Sequence, residues 1–318
     1  MYPLLLNAPI KDYIWGGTRL IDEFQFETAG EKAAEAWVLS CHKDGDSMVC
    51  NGRFEGEPLS TVLEMWGQDA LGKNAEKFAY FPLLIKLIDA RDRLSVQVHP
   101  NDDYALENEG EYGKTEMWYV VDADADATLI YGFQHEITKA EFEQRIKDNS
   151  LEEVCNFVPV KKGDVFFISA GTLHAIGKGI LIAEVQQNSN TTYRVSDYGR
   201  LGADGKPRPL HVEKALAVTK TTPPAEKYGD VGEKTVCPFG TVRKLADCEM
   251  FVTHLLSLDG TAKLREKDSF MSLVVLNGEA VLSYADEKIH LKKGSSVFIP
   301  ANIQVSVLGK AEILCSKV

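Results

Sequence analysis

The sequence predicts a mainly β protein of antiparallel sandwich or barrel type, on three observations. Runs of β-branched and aromatic residues bounded by Gly, Asn, Asp or Pro recur along the chain. Helical periodicity is confined to a few short segments. One strand–turn block occurs twice. At about 150 residues per domain, 318 residues correspond to roughly two domains, enough chain to bury a sizeable core.

The expected strands begin with VLSCH (38–42), LLIKLI (83–88) and LSVQVH (94–99), followed by MWYVV (117–121) and ATLIYG (127–132). DVFFIS (164–169) and GILIAEV (179–185) close the first half, and MFVTHLLSL (250–258), SLVVL (272–276), EAVLSY (279–284) and SSVFIP (295–300) make up the second. So many short strands without regular intervening helices favour antiparallel pairing. Between Pro58 and Ala70, Leu59, Val62, Leu63 and Trp66 fall at helical spacing, with Ser60 as the expected cap. Thr138-x-x-Glu141 and Ser150-x-x-Glu153 are capping-box patterns, so 138–158 reads as two short helices. HVEKALAVT (211–219) is a further short helix, and the polar, Pro- and Gly-rich segment 221–234 reads as a linker.

The repeat carries the most information. KKGDVFFISAGTLHA (161–175) aligns without gaps on KKGSSVFIPANIQVS (292–306), an offset of 131, and EMWYVVDA (116–123) aligns on MSLVVLNG (271–278), an offset of 155. The first copy therefore holds 24 extra residues between its blocks, and the two helices at 138–158 are the natural insertion. The expected organisation is a unit spanning 1–220 with that insertion, and a second unit spanning 235–318.

With 35 Lys plus Arg against 47 Asp plus Glu, the formal net charge is −12. That argues against nonspecific nucleic-acid binding and against an anionic membrane surface, both of which require a basic face. No apolar run approaches the ~18 residues of a spanning helix, and the opening MYPLLLNAPIKDY does not read as a signal peptide. The six cysteines include no C-x-x-C pair; they read as reduced structural thiols of a cytosolic protein, with a Cys41–Cys50 disulfide the less favoured alternative.

Comparing the two copies singles out chemistry. Glu116 faces Met271 and His174 faces Val305, so two potential metal ligands of one copy are apolar in the other, as expected of one functional and one degenerate unit. In SVQVHP (95–100), Gln97 and His99 lie two apart and share a strand face. Two imidazoles and a carboxylate suit a divalent transition metal, and three protein ligands leave the open position of a catalytic site. Gln97 adds an amide oxygen. The same set fits a non-haem iron facial triad, so an iron-dependent oxygenase stays open here, as does a non-enzymatic binding module with a structural metal. His42, His135, His211, His254 and His290 have no ligand-like context and read as surface or structural residues.

FPLLIKLIDARDRLSVQVHPNDDYA (81–105), GKTEMWYVV (113–121), GTLHAIGKGILIAEVQQNSNTTYRVSDYGR (171–200) and the early WGG (15–17) resemble the short bacterial form of type I mannose-6-phosphate isomerase. The resemblance covers most of 1–220 and is loose beyond it. It implies two cupin (jelly-roll) barrels with a helical insertion, the second degenerate, and a cytoplasmic aldose–ketose isomerase acting on mannose 6-phosphate and fructose 6-phosphate through an enediol. It implies one Zn²⁺ per chain on His99, Glu116 and His174, with Gln97 a fourth ligand position. Arg194 falls on the family's catalytic arginine, and Lys114 and Lys86 on polar active-site positions. Where the family reads Gly-Glu before an aromatic near the first strand, this chain has AAEAW (33–37), with Glu35 but no glycine. A phosphate dianion needs a local basic patch against the acidic whole, for which Lys114, Lys178, Arg194 and Arg200 are the expected sources. For the proton-transferring group, Glu184, Lys114 and a metal-bound water remain alternatives. The partner expected is therefore a small sugar phosphate, not nucleic acid or membrane.

Overall fold

A computed structural model describes residues 1–202 and 205–318. Three large antiparallel sheets stack in layers. A five-stranded sheet runs in the order Cys155–Pro159, Thr128–Phe133, His174–Ala175, Val96–Val98, Tyr193–Ser196. Facing it, a six-stranded sheet runs Val165–Ile168, Glu116–Ala123, Ile180–Gln187, Leu83–Ala90, Glu35–Leu39, Ile10–Lys11. The third sheet, of nine strands, gathers the chain after Lys234.

The six-stranded sheet is the middle layer, and its composition explains why. Leu83–Ala90 and Ile180–Gln187 are buried at every position, so these strands read as mostly apolar runs rather than alternating ones, broken only where Lys86, Asp89, Glu184, Gln186 and Gln187 enter. Ile88, Trp118, Val120, Ile180 and Ile182 point toward Leu129, Tyr131 and Val158 of the five-stranded sheet. The alternate residues Ile85, Leu87, Met117, Leu181 and Val185 join Leu4, Val274, Phe298 and Leu314 of the nine-stranded sheet, and Phe270 beside it. The outer face of the five-stranded sheet is covered by Phe142, Leu151, Val154 and Ala215.

The helices at 138–158 form where expected, in altered shape. Thr138 caps Lys139–Lys147 by accepting the Glu141 N–H at 3.1 Å. The Ser150 side chain makes no such cap, and Leu151–Val154 is a single 3₁₀ turn. Pro58–Ala70 divides into Leu59–Trp66 and Gln68–Leu71 because Gly67, at φ 66°, breaks the ladder. Pro58, not Ser60, sits at the N-cap; the Ser60 N–H is instead held by Asp46. Val212–Val218 is helical as expected. Asp102–Asn108, unanticipated, is capped by Asn101, which accepts the Tyr104 N–H.

The repeat is reproduced at the level of strand register. Val165–Ile168 and Ser296–Ile299 are strands at the same offset of 131. Ile168 pairs with Glu116 as Ile299 pairs with Met271, and Phe166 pairs with Trp118 as Val297 pairs with Leu273. The hairpin of Thr128–Phe133 with Cys155–Pro159 matches that of Glu279–Tyr284 with Glu287–Lys292, and the inserted helices sit at its tip.

Two closed barrels were expected; among the described residues no sheet closes on itself. The two expected units also share a sheet. Leu4–Asn7 pairs with Ser296–Ile299 and with Met48–Val49, so the nine-stranded sheet takes two strands from the N-terminal segment. The segment 221–234 is more than a tether. Tyr228 stacks on Phe166 at 5.4 Å, and Gly229 exchanges backbone hydrogen bonds with Val165. All six cysteines are free.

The ring of Phe142 is fully buried and meets Phe133 edge-on at 5.6 Å. Phe142→Ala therefore costs about 3–5 kcal/mol, as large-to-small core changes do. Urea unfolding of the two proteins measures the difference; a change below about 1 kcal/mol would mean the inserted helix does not contribute to the core.

Candidate active site

Both inner faces of the facing sheets become polar at one end of the sandwich. On the five-stranded sheet, the alternation that sends Val96 and Val98 outward to the helices sends Gln97 inward, and likewise Arg194 lies between Tyr193 and Val195. Arg194, Gln97 and His174 are cross-strand neighbours. On the opposing sheet, Trp37 is beside Lys86, Lys86 beside Glu184, and Glu184 beside Trp118. Glu116 starts its strand opposite Gln186.

His99, Glu116 and His174 converge, and all three are buried. His99 Nε2 and His174 Nε2 stand 3.1 Å apart. Glu116 reaches His174 Nε2 with Oε1 at 3.4 Å and His99 Nε2 with Oε2 at 3.6 Å. The other ring nitrogens face backbone carbonyls, His99 Nδ1 on Thr191 at 2.9 Å and His174 Nδ1 on Thr172 at 2.8 Å. A carbonyl only accepts, so each Nδ1 carries the proton and each neutral ring presents a bare lone pair at Nε2. Two lone pairs and a carboxylate thus face one point, and neither Glu116 oxygen accepts a well-formed hydrogen bond.

That arrangement is unfavourable without a cation and suitable with one. Donors bonded to one tetrahedral ion at about 2.0–2.1 Å lie roughly 3.3 Å apart, and the observed separations bracket that value. The Nδ1–H bonds to carbonyls are the outer contacts that orient metal-binding imidazoles. Gln97 Nε2 lies 3.4 Å from His174 Nε2, so the end of its amide is at the rim of the cluster, where rotation of the amide offers its oxygen instead. Burial, then the nearby charge of Glu184, raises the Glu116 carboxyl above its ordinary range. Burial holds His174 down at about 4, and burial with Lys114 and His174 lowers His99.

Beside this cluster opens a cavity of about 290 Å³, lined among others by Glu35, Lys86, Gln97, Lys114, Glu184, Arg194 and Arg208. Its buried charges form a chain. Lys86 Nζ lies 3.3 Å from Glu184 and 3.5 Å from Glu35. Trp118 Nε1–H donates to Glu184 at 2.8 Å and Trp37 Nε1–H to Glu35 at 2.7 Å. Burial opposes the charge on Lys86, but the two carboxylates outweigh it and raise its affinity for its proton. Burial likewise pushes Glu184 up, and Lys114 and Lys86 more than reverse that, so it stays ionised. Lys114 Nζ stands between the two centres, 3.1 Å from Glu116 and 3.2 Å from His99.

Of the residues singled out from the sequence, His99, Glu116, His174, Gln97, Lys114, Lys86 and Arg194 therefore come together. Lys178 does not join them; it is exposed and lines a separate cavity with Arg93, Asp124 and Tyr198. Arg200 is also outside the cavity, paired with Asp197 at 2.6 Å. Sequence reading passed over Arg208, a lone loop arginine without a motif, and over Tyr13, two residues before the noted WGG. His211, read as structural, accepts the Arg194 backbone N–H at 3.1 Å and so helps place that residue.

Residues 4–148 match the model of the phosphomannose isomerase type I catalytic domain, and residues 241–318 match the mannose-6-phosphate isomerase cupin domain. A mannose-6-phosphate isomerase of Streptococcus mutans is 38% identical, covering 95% of this chain and 93% of its own. Another of Bacillus subtilis is 38% identical, covering 99% and 98%. The chain belongs to the type I phosphomannose isomerase family. The crystal structure of mannose 6-phosphate isomerase from Bacillus subtilis superposes with a TM-score of 0.92 at 34% identity, over the whole of both chains. Membership fits the layered cupin fold and the cluster of His99, Glu116 and His174, a set able to bind metal. No helix among the described residues is long and apolar enough to cross a membrane.

Glu116 supplies the only formal negative charge among the three converging ligands. Glu116→Gln keeps the shape and removes that charge, so a divalent-metal affinity at least about tenfold weaker is expected, from loss of a charged ligand. Titration of the stripped protein with Zn²⁺, followed by calorimetry, measures it. Unchanged affinity would exclude Glu116 as a ligand.

Proposed function

We propose that the chain interconverts mannose 6-phosphate and fructose 6-phosphate with one bound Zn²⁺, through an enediol. The observation that carries this reading is the convergence of two imidazole Nε2 atoms and the Glu116 carboxylate, with Lys114 beside them, at the edge of a cavity lined by four cationic side chains, Lys86, Lys114, Arg194 and Arg208. The relatives named above bear that activity in their names, and the likeness to them runs along nearly the whole chain.

The residues that would hold the ion are His99, Glu116 and His174, with Gln97 at the rim. Bound there, Zn²⁺ supplies Lewis-acid stabilisation of negative charge on the sugar oxygens, worth several kcal/mol. It needs no redox change, which suits a proton shift between neighbouring carbons.

The rest of the chemistry belongs to the side chains. Moving the carbonyl between carbons 1 and 2 requires a group that takes a proton from one carbon and returns it to the other. Glu184 suits that role. It lines the cavity, Lys86 and Lys114 keep it ionised, and its Oε1 is ion-paired with Lys86 at 3.3 Å while Oε2 is held by Trp118. Lys86 fixes the carboxylate's position between Glu35 and Glu184. Arg194 stays charged at any working pH and offsets charge on the substrate from the side opposite Glu184. The sandwich walls of Ile88, Leu94 and Ile176 limit water around the reacting carbons.

A coupled assay following fructose 6-phosphate to mannose 6-phosphate should show turnover that a chelator abolishes and Zn²⁺ restores. Turnover indifferent to chelation, or stoichiometric iron with oxygen uptake, would overturn the assignment. Glu184→Gln should lower kcat by about 10²–10⁴, the range for removing a general base, while bound metal stays stoichiometric. It should also slow exchange of the substrate's carbon-bound hydrogen with deuterated water. Exchange at the wild-type rate would show that Glu184 is not the base.

A further inference from the structure

The two imidazoles of the cluster lean on carbonyls that are fixed in different ways. His174 Nδ1–H donates to Thr172, two residues earlier. That turn is closed locally, by the Thr172 N–H on the Ser169 carbonyl at 3.0 Å and by the Ser169 and Thr172 hydroxyls at 3.1 Å. His99 Nδ1–H donates to Thr191, 92 residues away. The chain around His99 does not hold that carbonyl in place.

Thr191 lies in the bend 188–192, which carries the chain from Ile180–Gln187 in the middle sheet to Tyr193–Ser196 in the five-stranded sheet. Changing sheets takes the backbone out of the ladder, and side chains replace it. The Thr191 N–H donates to the Ser189 hydroxyl at 3.2 Å, within the bend itself. From outside the bend, Glu111 Oε2 accepts the Asn190 N–H at 3.2 Å and the Thr191 hydroxyl at 3.4 Å. Glu111 Oε1 is held in turn by Lys43 Nζ at 2.6 Å, with His42 Nε2 at 3.6 Å. Burial opposes the charge on Glu111, but Lys43 and the Asn190 N–H outweigh it, so the carboxylate stays ionised and accepting.

The helix Asp102–Asn108 delivers Glu111 to this position. Asn101, two residues after His99, caps its start. At its far end the Glu109 and Gly110 N–H groups both reach back to the Ala105 carbonyl, and Gly110, at φ 68°, turns the chain. Glu109 then accepts the Tyr193 hydroxyl at 2.7 Å, and Glu111 takes the donors of Asn190 and Thr191. The chain thus leaves His99, makes a short helix, and returns to hold the bend on which the His99 ring rests.

We propose that Glu111 is a positioning residue for the metal centre: by fixing Thr191 it holds the carbonyl that keeps the His99 proton on Nδ1 and its Nε2 lone pair aimed at the ion. The effect is one-sided. Losing Glu111 frees His99 and spares His174, whose carbonyl is fixed by its own turn. The inference rests on the metal-dependent reading proposed above, and zinc binding tests it without turnover.

Titration of the stripped protein with Zn²⁺ against a chromophoric chelator measures affinity. Glu111→Met fills the space but offers the bend no carboxylate, and should bind Zn²⁺ about tenfold more weakly. That is the low end of what losing an outer contact costs, about 10–100-fold, because Glu111 acts one bond further out. Glu111→Gln keeps an oxygen for the Asn190 N–H and should stay within about threefold of wild type. The site-specific readout is exchange of the imidazole Nδ1–H protons with water, followed by NMR on the zinc-loaded proteins. Glu111→Met should speed exchange at His99 at least about tenfold and at His174 less than about threefold. If that protein does not fold, Glu111→Ala is measured against the same expectations. Zinc affinity within about threefold of wild type in the methionine or alanine protein overturns the proposal. So does equal acceleration of both protons, which marks general loosening, and so does a glutamine protein as weak as the methionine one. Those outcomes leave the isomerase reading standing. Wild-type protein that binds no Zn²⁺ removes the metal-dependent reaction itself, and this inference with it.

Discussion

The structure depends on one electrostatic constraint: His99 Nε2, His174 Nε2 and the Glu116 carboxylate are made to face one another in a buried space. Left alone, those donors repel. They are held there because each imidazole spends its proton on a backbone carbonyl and because three strands of two different sheets are locked in register around them. The layered packing of the middle sheet supplies that rigidity. A strand buried on both faces cannot slip by one residue without placing a charged side chain in an apolar layer. Lys86 and Glu184 interrupt otherwise apolar runs at one end of the sandwich, where each is the other's partner.

Much of this was legible in the sequence, for identifiable reasons. The strands Leu83–Ala90 and Ile180–Gln187 announce themselves because double-sided burial demands apolar residues at successive positions, as in LLI and ILIA. Glu116 and His174 stand out because the second copy of the repeat has Met271 and Val305 in their places, and the structure puts both copies in the same register. Gln97 and His99 share a face by simple alternation. The expected barrels failed because closure is decided by which edges meet, and edge pairing has no local signature. Leu4–Asn7 has the apolar pattern of a strand but nothing to say that its partner is Ser296–Ile299.

The cation end of the cavity was harder to read. Lys178 lies between two glycines in a motif-bearing stretch and yet faces solvent, whereas Arg208 has no motif and faces the cavity. A basic residue on a loop looks the same in either case. What separates them is a partner eleven residues earlier: Asp197 orders Arg208, and no spacing rule encodes that contact. The helix Asp102–Asn108 escaped for a related reason. Only Ala105 among its residues is buried, so its hallmark is the Asn101 cap and not a periodic stripe.

The pairing of Leu4–Asn7 with Ser296–Ile299 also bears on how the chain is made. Leu4 and Phe298 are roughly 290 positions apart, so during synthesis the early strand emerges long before its neighbour exists. Until then it exposes unsatisfied N–H and C=O groups and apolar side chains to whatever else is nearby. Completion of the nine-stranded sheet is thus a late, long-range event, of the kind that slows folding. The same seam ties the degenerate copy to the functional one, so that the half of the molecule lacking metal ligands cannot form its full sheet without a strand lent by the half that has them.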